Sequence, residues 1–332
     1  MLGSERISLD RRGFLKSATA GLVLLPHTKL DELGLRLGRR KATVALIRTG
    51  NRKAGVRRAF SLLDPKGIPG RAVNLKPNFN TADPAPAGTH NDTLTEIVKE
   101  LKERDAREVV VGESSFPPTR KVMESKGVLD LADEMGFGVV AYDEIPDNEW
   151  VHFLPSGTHW PEGFHLPRHV VESEFNVSTC CLKTHGSGGV FTMSMKLSVG
   201  LTPKPIRRGM HRSPHMRRMI AELNQGYSPQ LIIMDGVQAF TDGGPSRGNL
   251  AQADVMIAGT DPVAVDAVGL AILKELGANE AIMGTPIFQQ EQMARAVEVG
   301  LGIEGPEEIQ LVTDDAEGEA YVAKLEAILA EG

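Results

Sequence analysis

Lysine is seldom placed at the end of an apolar run unless it is paired or meets an anion. Two lysines stand in that position here. Lys76 follows Asn74-Leu75 and leads into Pro77-Asn78, and Lys183 follows Cys180-Cys181-Leu182 and leads into Thr184-His185. Three more apolar runs end in polar groups: VVVG in Glu113-Ser114, LIIM in Asp235-Gly236, and a later one in Gly259-Thr260-Asp261. The lysines suit a carboxylate or phosphate. His185 and Glu113 are acid/base candidates, and Lys183 joins them as a residue expected at the reacting group. Asn78, Ser114, Gly188 and Gly189 are expected to line the ligand. Asp235 and Asp261 could bind a divalent cation or orient His185, and Asp266 lies one helical turn beyond.

Each piece also has an ordinary reading. Asp235-Gly236 is a turn dipeptide, and Asp261-Pro262 is a good helix cap with proline at the first helical position. The glycine-rich loop after His185 is an anion cradle in principle, through backbone N–H groups and a helix N-terminus. It matches neither nucleotide-binding glycine pattern. Residues 204–218 hold six Lys/Arg and two His. His211 and His215 are four apart, so one helix would put both on one face as a metal pair. The competing readings of this stretch are a solvated basic helix and a mobile flap. In the flap, Arg207, Arg208, His211 and Arg212 close over an anionic substrate, and binding weakens as pH rises through the histidine range. Cys180 and Cys181 point to opposite faces of a strand and read as small core residues.

The elements that must position these groups alternate. Strands are expected at 43–48, 72–75, 108–111, 138–141, 177–182, 231–234, 254–258 and 310–312. Helices are expected at 53–63, 92–104, 120–135, 192–199, 210–224, 262–276, 286–299 and 317–330. Strands apolar on both faces and separated by helices predict an α/β fold: a mostly parallel sheet with helices on both faces, in Rossmann-like layers. Ligands of such sheets bind beyond the carboxyl ends of the strands. All five polar clusters are therefore expected on one rim. Residues 42–332 read as a single α/β domain, with an excursion at about 146–167 and the basic segment at 204–218.

The chain has 332 residues, 41% hydrophobic and 24% charged, with net charge −6. That is the composition of a globular protein with a sizeable core. Two cysteines are too few for an iron–sulfur cluster or a disulfide scaffold. The acidic balance and few aromatics argue against nucleic acid as a partner. Residues 1–41 carry nine Lys/Arg against four Asp/Glu, which leaves the remainder 28 against 39. Within that acidic body the basic segment stands out. Residues 10–16, DRRGFLK, precede a short apolar run at 18–25. The stretch resembles a twin-arginine export signal. That likeness implies the twin-arginine export machinery as a partner, export in folded form, and a periplasmic or other extracytoplasmic location. Contact with a membrane is then expected only through the signal segment, if it is uncleaved.

Read in order, Leu75-Lys76-Pro77-Asn78, Val111-Gly112-Glu113-Ser114, Leu182-Lys183-Thr184-His185 and the glycine loop running to Lys196 resemble the family called domain of unknown function 362. Asp235-Gly236-Val237, Gly244-Pro245-Ser246 with Gly248, and the stretch from Ala258 to Ala267 match it as well. The likeness covers roughly residues 74–303. It implies the fold and adds Lys196 as a third anion-binding lysine, but it names no chemistry. Leu197 stands where the resemblance leads one to expect Asn after that lysine. Some relatives carry ferredoxin-like cysteine segments, which this chain lacks.

The leading functional reading is an exported enzyme acting on a small anionic substrate. No G-x-S-x-G elbow is present, so isomerase, lyase, oxidoreductase and metal-dependent hydrolase stay open. The alternatives are a non-catalytic anion- or metal-binding protein, and an accessory subunit whose basic segment docks an acidic redox partner.

Overall fold

The computed structural model describes residues 41–331. The expected export signal, up to residue 40, lies outside the described residues. The strands are β1 (Ala42–Arg48), β2 (Ala72–Lys76), β3 (Glu108–Glu113), β4 (Gly138–Ala141), β5 (Trp150–Phe153), β6 (Phe164–Pro167), β7 (Phe175–His185), β8 (Val190–Phe191), β9 (Leu231–Gly243), β10 (Gly248–Gly259) and β11 (Ile309–Val312). The main sheet runs β11-β1-β10-β9-β7-β2-β3-β4, and the short β8 pairs with the end of β7. The pairs β1/β11, β9/β7, β7/β2, β2/β3 and β3/β4 are parallel. The expected α/β architecture with a mostly parallel sheet is therefore present.

One strand breaks the pattern, and it matters for the site. β10 is antiparallel to both β9 and β1. Its last residue, Gly259, pairs with Ile232 near the start of β9. The carboxyl end of β10 thus lies at the opposite end of the sheet from the carboxyl ends of its neighbours. Asp261, which follows it, is not on the expected rim.

Helices cover both faces. One apolar core gathers the helix Pro262–Glu275 with Cys180, Leu182, Met234 and Ile257. The other gathers Val56, Phe60, Leu94 and Ile97 from the helices Arg52–Leu63 and Asn91–Glu103 with Val73, Val111 and Val177. Alternation along β7 sends Cys180 and Leu182 to the first core, so Cys181 and Lys183 face the second. Both cysteines are free and buried, and burial pushes the Cys181 thiol up to about 11.

A third core, with Tyr142, Trp160, Phe164, Met210, Met219 and Tyr227, lies under the basic segment. Part of it comes from the excursion at 146–167, which holds the antiparallel pair β5 and β6.

Several helices depart from expectation. The stretch 120–135 is split by Gly127, at φ 69°, into Thr119–Ser125 and Val128–Met135. The stretch 192–199 is one turn, Ser194–Leu197, continued by a 3₁₀ turn at Ser198–Leu201. The basic residues 204–212 themselves form a helix, Lys204–Arg212, with Pro205 in its first turn, where a missing N–H costs nothing. The break falls at Ser213-Pro214, and the next helix runs Met216–Leu223. His211 and His215 therefore belong to different segments and do not share a helix face.

Candidate functional site

A cavity of about 390 Å³ opens beyond the carboxyl ends of β2, β3 and β7. Lys76, Asn78, Glu113, Ser114, His185, Lys196, Arg207 and Arg208 line it, together with His211 and Arg212. Parallel neighbours in the sheet bring the first five together. The remaining cations come from two elements laid across the rim. The turn Ser194–Leu197 supplies Lys196. The helix Lys204–Arg212 supplies the arginines, because Ile206 and Met210 on its other side are packed into the third core. The spacing 207, 208, 211, 212 then turns one face toward the cavity.

Lys76 and Glu113 are buried together. The Lys76 ammonium donates to Glu113 Oε1 at 2.7 Å and to the Pro77 carbonyl at 2.7 Å. The two carboxylate oxygens also accept from the backbone N–H groups of Ser114 and Phe79, both at 2.7 Å. Glu113 is therefore spent on one lysine and two amides, the environment of a fixed counter-charge. Gly200 packs on this pair so tightly that a Cβ there would lie 2.7 Å from Glu113 Oε1 and 2.9 Å from Lys76 Nζ.

Lys196 is different. It is 8% exposed, and its ammonium makes no hydrogen bond or ion pair among the described residues. Burial, and then the neighbouring cations Lys183 and Arg207, lower its ammonium to about 7. Its side chain passes over Gly189, where a Cβ would come within 3.2 Å of Lys196 Cε and 2.8 Å of His185 Nδ1.

His185 accepts at Nδ1 from the Gly189 N–H, at 3.2 Å. Burial, with Lys196, His211 and Lys183 nearby, pushes it down to about 2. Burial holds the ring neutral through the ordinary histidine range, and with Nδ1 accepting, the neutral ring carries its proton on Nε2 as a hydrogen-bond donor. It is not a group that charges near pH 6.5. Arg207 donates to Ser114 O at 2.7 Å, Ser114 Oγ at 2.6 Å and Thr202 O at 3.1 Å. Among the described residues no carboxylate pairs with it. Asn78 Nδ2, Thr192 Oγ1 and Arg207 Nε are buried without a hydrogen-bond partner, and all three residues line the cavity.

Other expected members lie elsewhere. Lys183 turns away with its face of β7 and donates to the Ala87 carbonyl at 2.5 Å. Asp235 accepts from Arg52 Nε at 2.7 Å, Thr93 Oγ1 at 2.8 Å and the Val237 N–H at 3.1 Å. Asp261 caps the helix Pro262–Glu275 through the N–H groups of Val263 and Ala264, each at 2.9 Å. Asp266 accepts from the N–H groups of Ser194 and Met195 at 2.7 and 3.0 Å. It thereby fills the helix N-terminus that had been expected to cradle a ligand, and burial raises it to about 7.

The glycine loop leads into β8, not a helix. The Gly186 N–H goes to Gly244 O, and Gly188 O accepts from Arg217. Gly188 and Gly189 thus shape the loop around His185 and do not line the cavity. His215 packs against His159 at a tilt of 36°, ring centroids 4.4 Å apart. Among the described residues, no group of three or more His, Cys, Asp or Glu could hold a metal ion. The metal candidates Asp235, Asp261, Asp266, His211 and His215 are scattered.

Sequence reasoning did not expect Asn80, Phe116, Ser187, Thr192, Leu197, Val199, Gly200 and Pro245 at the site, and these complete the wall. Only Phe116 carried a signal: an aromatic between Ser115 and Pro117-Pro118 in a loop that follows a polar strand end.

A family model described as "Domain of unknown function (DUF362)" matches residues 73–271. A thylakoid-associated protein of Synechocystis sp. is 25% identical over 247 residues, covering 70% of this chain and 74% of that protein. Among solved structures, the lactate racemase apoprotein of Thermoanaerobacterium thermosaccharolyticum aligns at a TM-score of 0.43 with 16% identity. That alignment covers 67% of this chain, which spans about half (54%) of the racemase chain.

Proposed function

Because the chain belongs to the family described as domain of unknown function (DUF362), a description that names no chemistry, we propose its function from its cavity. It is an enzyme for a small organic anion, a carboxylate or phosphate, with Lys196 as the proton-transfer group. The observation that carries the reading is a charge imbalance. Lys76, Lys183 and Lys196 are all buried, and Glu113 is the one carboxylate within ion-pair distance of any of them among the described residues. Burying charge without a partner is costly. An anion seated against Lys196 and Arg207 would supply the missing negative charge. Arg208 and Arg212, exposed and without ion pairs among the described residues, would draw it in. The Nε2–H of His185 and the amide of Asn78 would fix its orientation. The protonated lysine strengthens binding, and its neutral fraction near pH 7 can take a proton from a substrate held by Arg207 and return it.

Calorimetric titration with phosphate, sulfate, acetate and small 2-substituted carboxylates tests the binding half. Affinity is expected to be highest below pH 7 and to fall as pH rises through the Lys196 range, because the anion binds the protonated lysine. The window is set by Lys196, not by His185. For the best ligand, exchange of carbon-bound hydrogen in D2O, followed by NMR, tests the proton-transfer half. Exchange that survives Lys196→Gln would refute the assignment, and binding without exchange of any ligand would favour a capture protein.

Export belongs to the same proposal. Among the described residues no helix is long and apolar enough to cross a membrane. The DRRGFLK stretch is what supports export. Replacing Arg11 and Arg12 by Lys is expected to leave the protein folded and retained in the cytoplasm. Cell fractionation that still finds the variant exported would refute the signal.

A further inference from the structure

The cavity is too large for the anion that its cations can hold. Its volume of about 390 Å³ corresponds to about a dozen water-sized units at ~30 Å³ each, whereas a carboxylate or phosphate head occupies only a few. The cationic and orphaned polar groups Lys196, Arg207, Asn78 and Thr192 belong to the buried part. The wall also carries the apolar Leu197, Val199 and Pro245, alongside polar residues such as Asn80 and Ser187.

At the mouth stands Phe116, 74% exposed, a large aromatic left in water although it borders a pocket. Single exposed hydrophobics are ordinary, but this one is held in place from both sides. Its N–H donates to Asn80 O at 2.8 Å. The preceding Ser115 donates from Oγ to Phe79 O at 2.5 Å and from N–H to Thr119 Oγ1 at 2.9 Å. Pro117 and Pro118 follow and restrict the backbone further. The backbone that carries the ring is thus held, and the exposed ring offers a surface that a ligand can cover. No other aromatic ring covers it among the described residues.

Resting on the reading that the cavity takes an organic anion, we infer that its ligand is an aryl acid. The anionic head sits inward at Lys196 and Arg207, and an aromatic body extends outward past Leu197 and Val199 to stack on Phe116. The inference narrows the substrate class from any small anion to one with a planar apolar body.

The test compares two pairs of probes on the full chain by calorimetry at pH 6.5: acetate with phenylacetate, and methyl phosphate with phenyl phosphate. In each pair the head is constant and the body changes. The phenyl member is expected to bind at least about tenfold more tightly, the effect of burying most of a ring. The pair that binds more tightly overall tells whether the natural head is a carboxylate or a phosphate. Phe116→Ala, at an exposed site that does not threaten folding, is expected to shrink the phenyl preference to about threefold or less. The acetate and methyl phosphate affinities should not move. A phenyl preference near one in the wild type, or one that Phe116→Ala leaves intact, overturns the inference. If acetate and methyl phosphate bind and lose affinity in Lys196→Met while the phenyl preference is absent, the aryl inference falls and the anion site stands. If none of the four probes binds, both fall.

Discussion

The variant Lys196→Met is expected to be more stable than the wild type without ligand, and unable to hold the anion. Burial lowers the Lys196 ammonium from 10.5 to about 7, so the folded state binds this proton less tightly than the unfolded chain does. Below pH 7 both states are protonated and the full cost of burying the charge is present, about 5 kcal/mol as an upper bound. Between pH 7 and 10.5 the unfolded chain holds the proton and the folded chain does not. The wild type therefore gains stability with rising pH, and the cost has gone above 10.5. The gain from methionine should be largest at pH 6 and should fade across the range from 7 to 10.5. Denaturant titrations of both proteins at pH 6 and 9.5 in a zwitterionic buffer measure it. Equal gains at the two pH values would mean that Lys196 is not the titrating group. In the same variant, anion affinity is expected to fall by at least about thirtyfold, as when one member of a desolvated charge pair is removed.

Glu113→Gln is expected to have the opposite sign, destabilising the fold by about 3–5 kcal/mol, because it leaves a buried lysine without its counter-charge. Lys76 is 1% exposed, and burial already lowers its ammonium against the opposing pull of Glu113. With that pull removed, Lys76 should give up its proton more readily, and the variant should recover part of its stability as pH rises. The double variant Lys76→Met with Glu113→Gln should recover most of the loss, since it removes both charges. Chemical denaturation of the four proteins forms the cycle. Single variants within 1 kcal/mol of the wild type would show that the pair is not the anchor described above.

Much of this arrangement was legible from the chain, and what failed did so for identifiable reasons. Lys76 and Glu113 could be found because each ends an apolar strand in a residue type that turns do not favour. Arg207, Arg208, His211 and Arg212 could be found because a basic cluster is conspicuous in an acidic body. Asp261 could not be placed, because an apolar run does not reveal its direction. A signal did exist. No helix was expected between the strands at 231–234 and 254–258, and two neighbouring strands without a crossover cannot be parallel. The intervening Asp242-Gly243-Gly244-Pro245-Ser246-Arg247-Gly248 is turn chemistry. Lys183 was misplaced by one step of alternation: it sits on the rim strand, but its side chain leaves on the helix-covered face. Lys196 entered only through family resemblance. Nothing in its local sequence marks a lysine that will be buried alone, because that depends on a helix folded across it from residues 204–212.

The antiparallel course of β10 also has a consequence for how such a pocket can diversify. β9 and β10 run on past the body of the sheet to a tip that delivers Pro245 to the cavity wall. The height of that wall is a matter of ladder length. Removing two residues from each arm, which keeps the alternation of faces, would lower the tip by about 6.8 Å without touching the cores on either face. The arms already tolerate slippage, with bulges between Asn249 and Leu250 and between Gln252 and Val255. A lineage can thus resize this cavity through paired insertions or deletions at one hairpin, while the lysine–glutamate anchor on the neighbouring strands keeps its place.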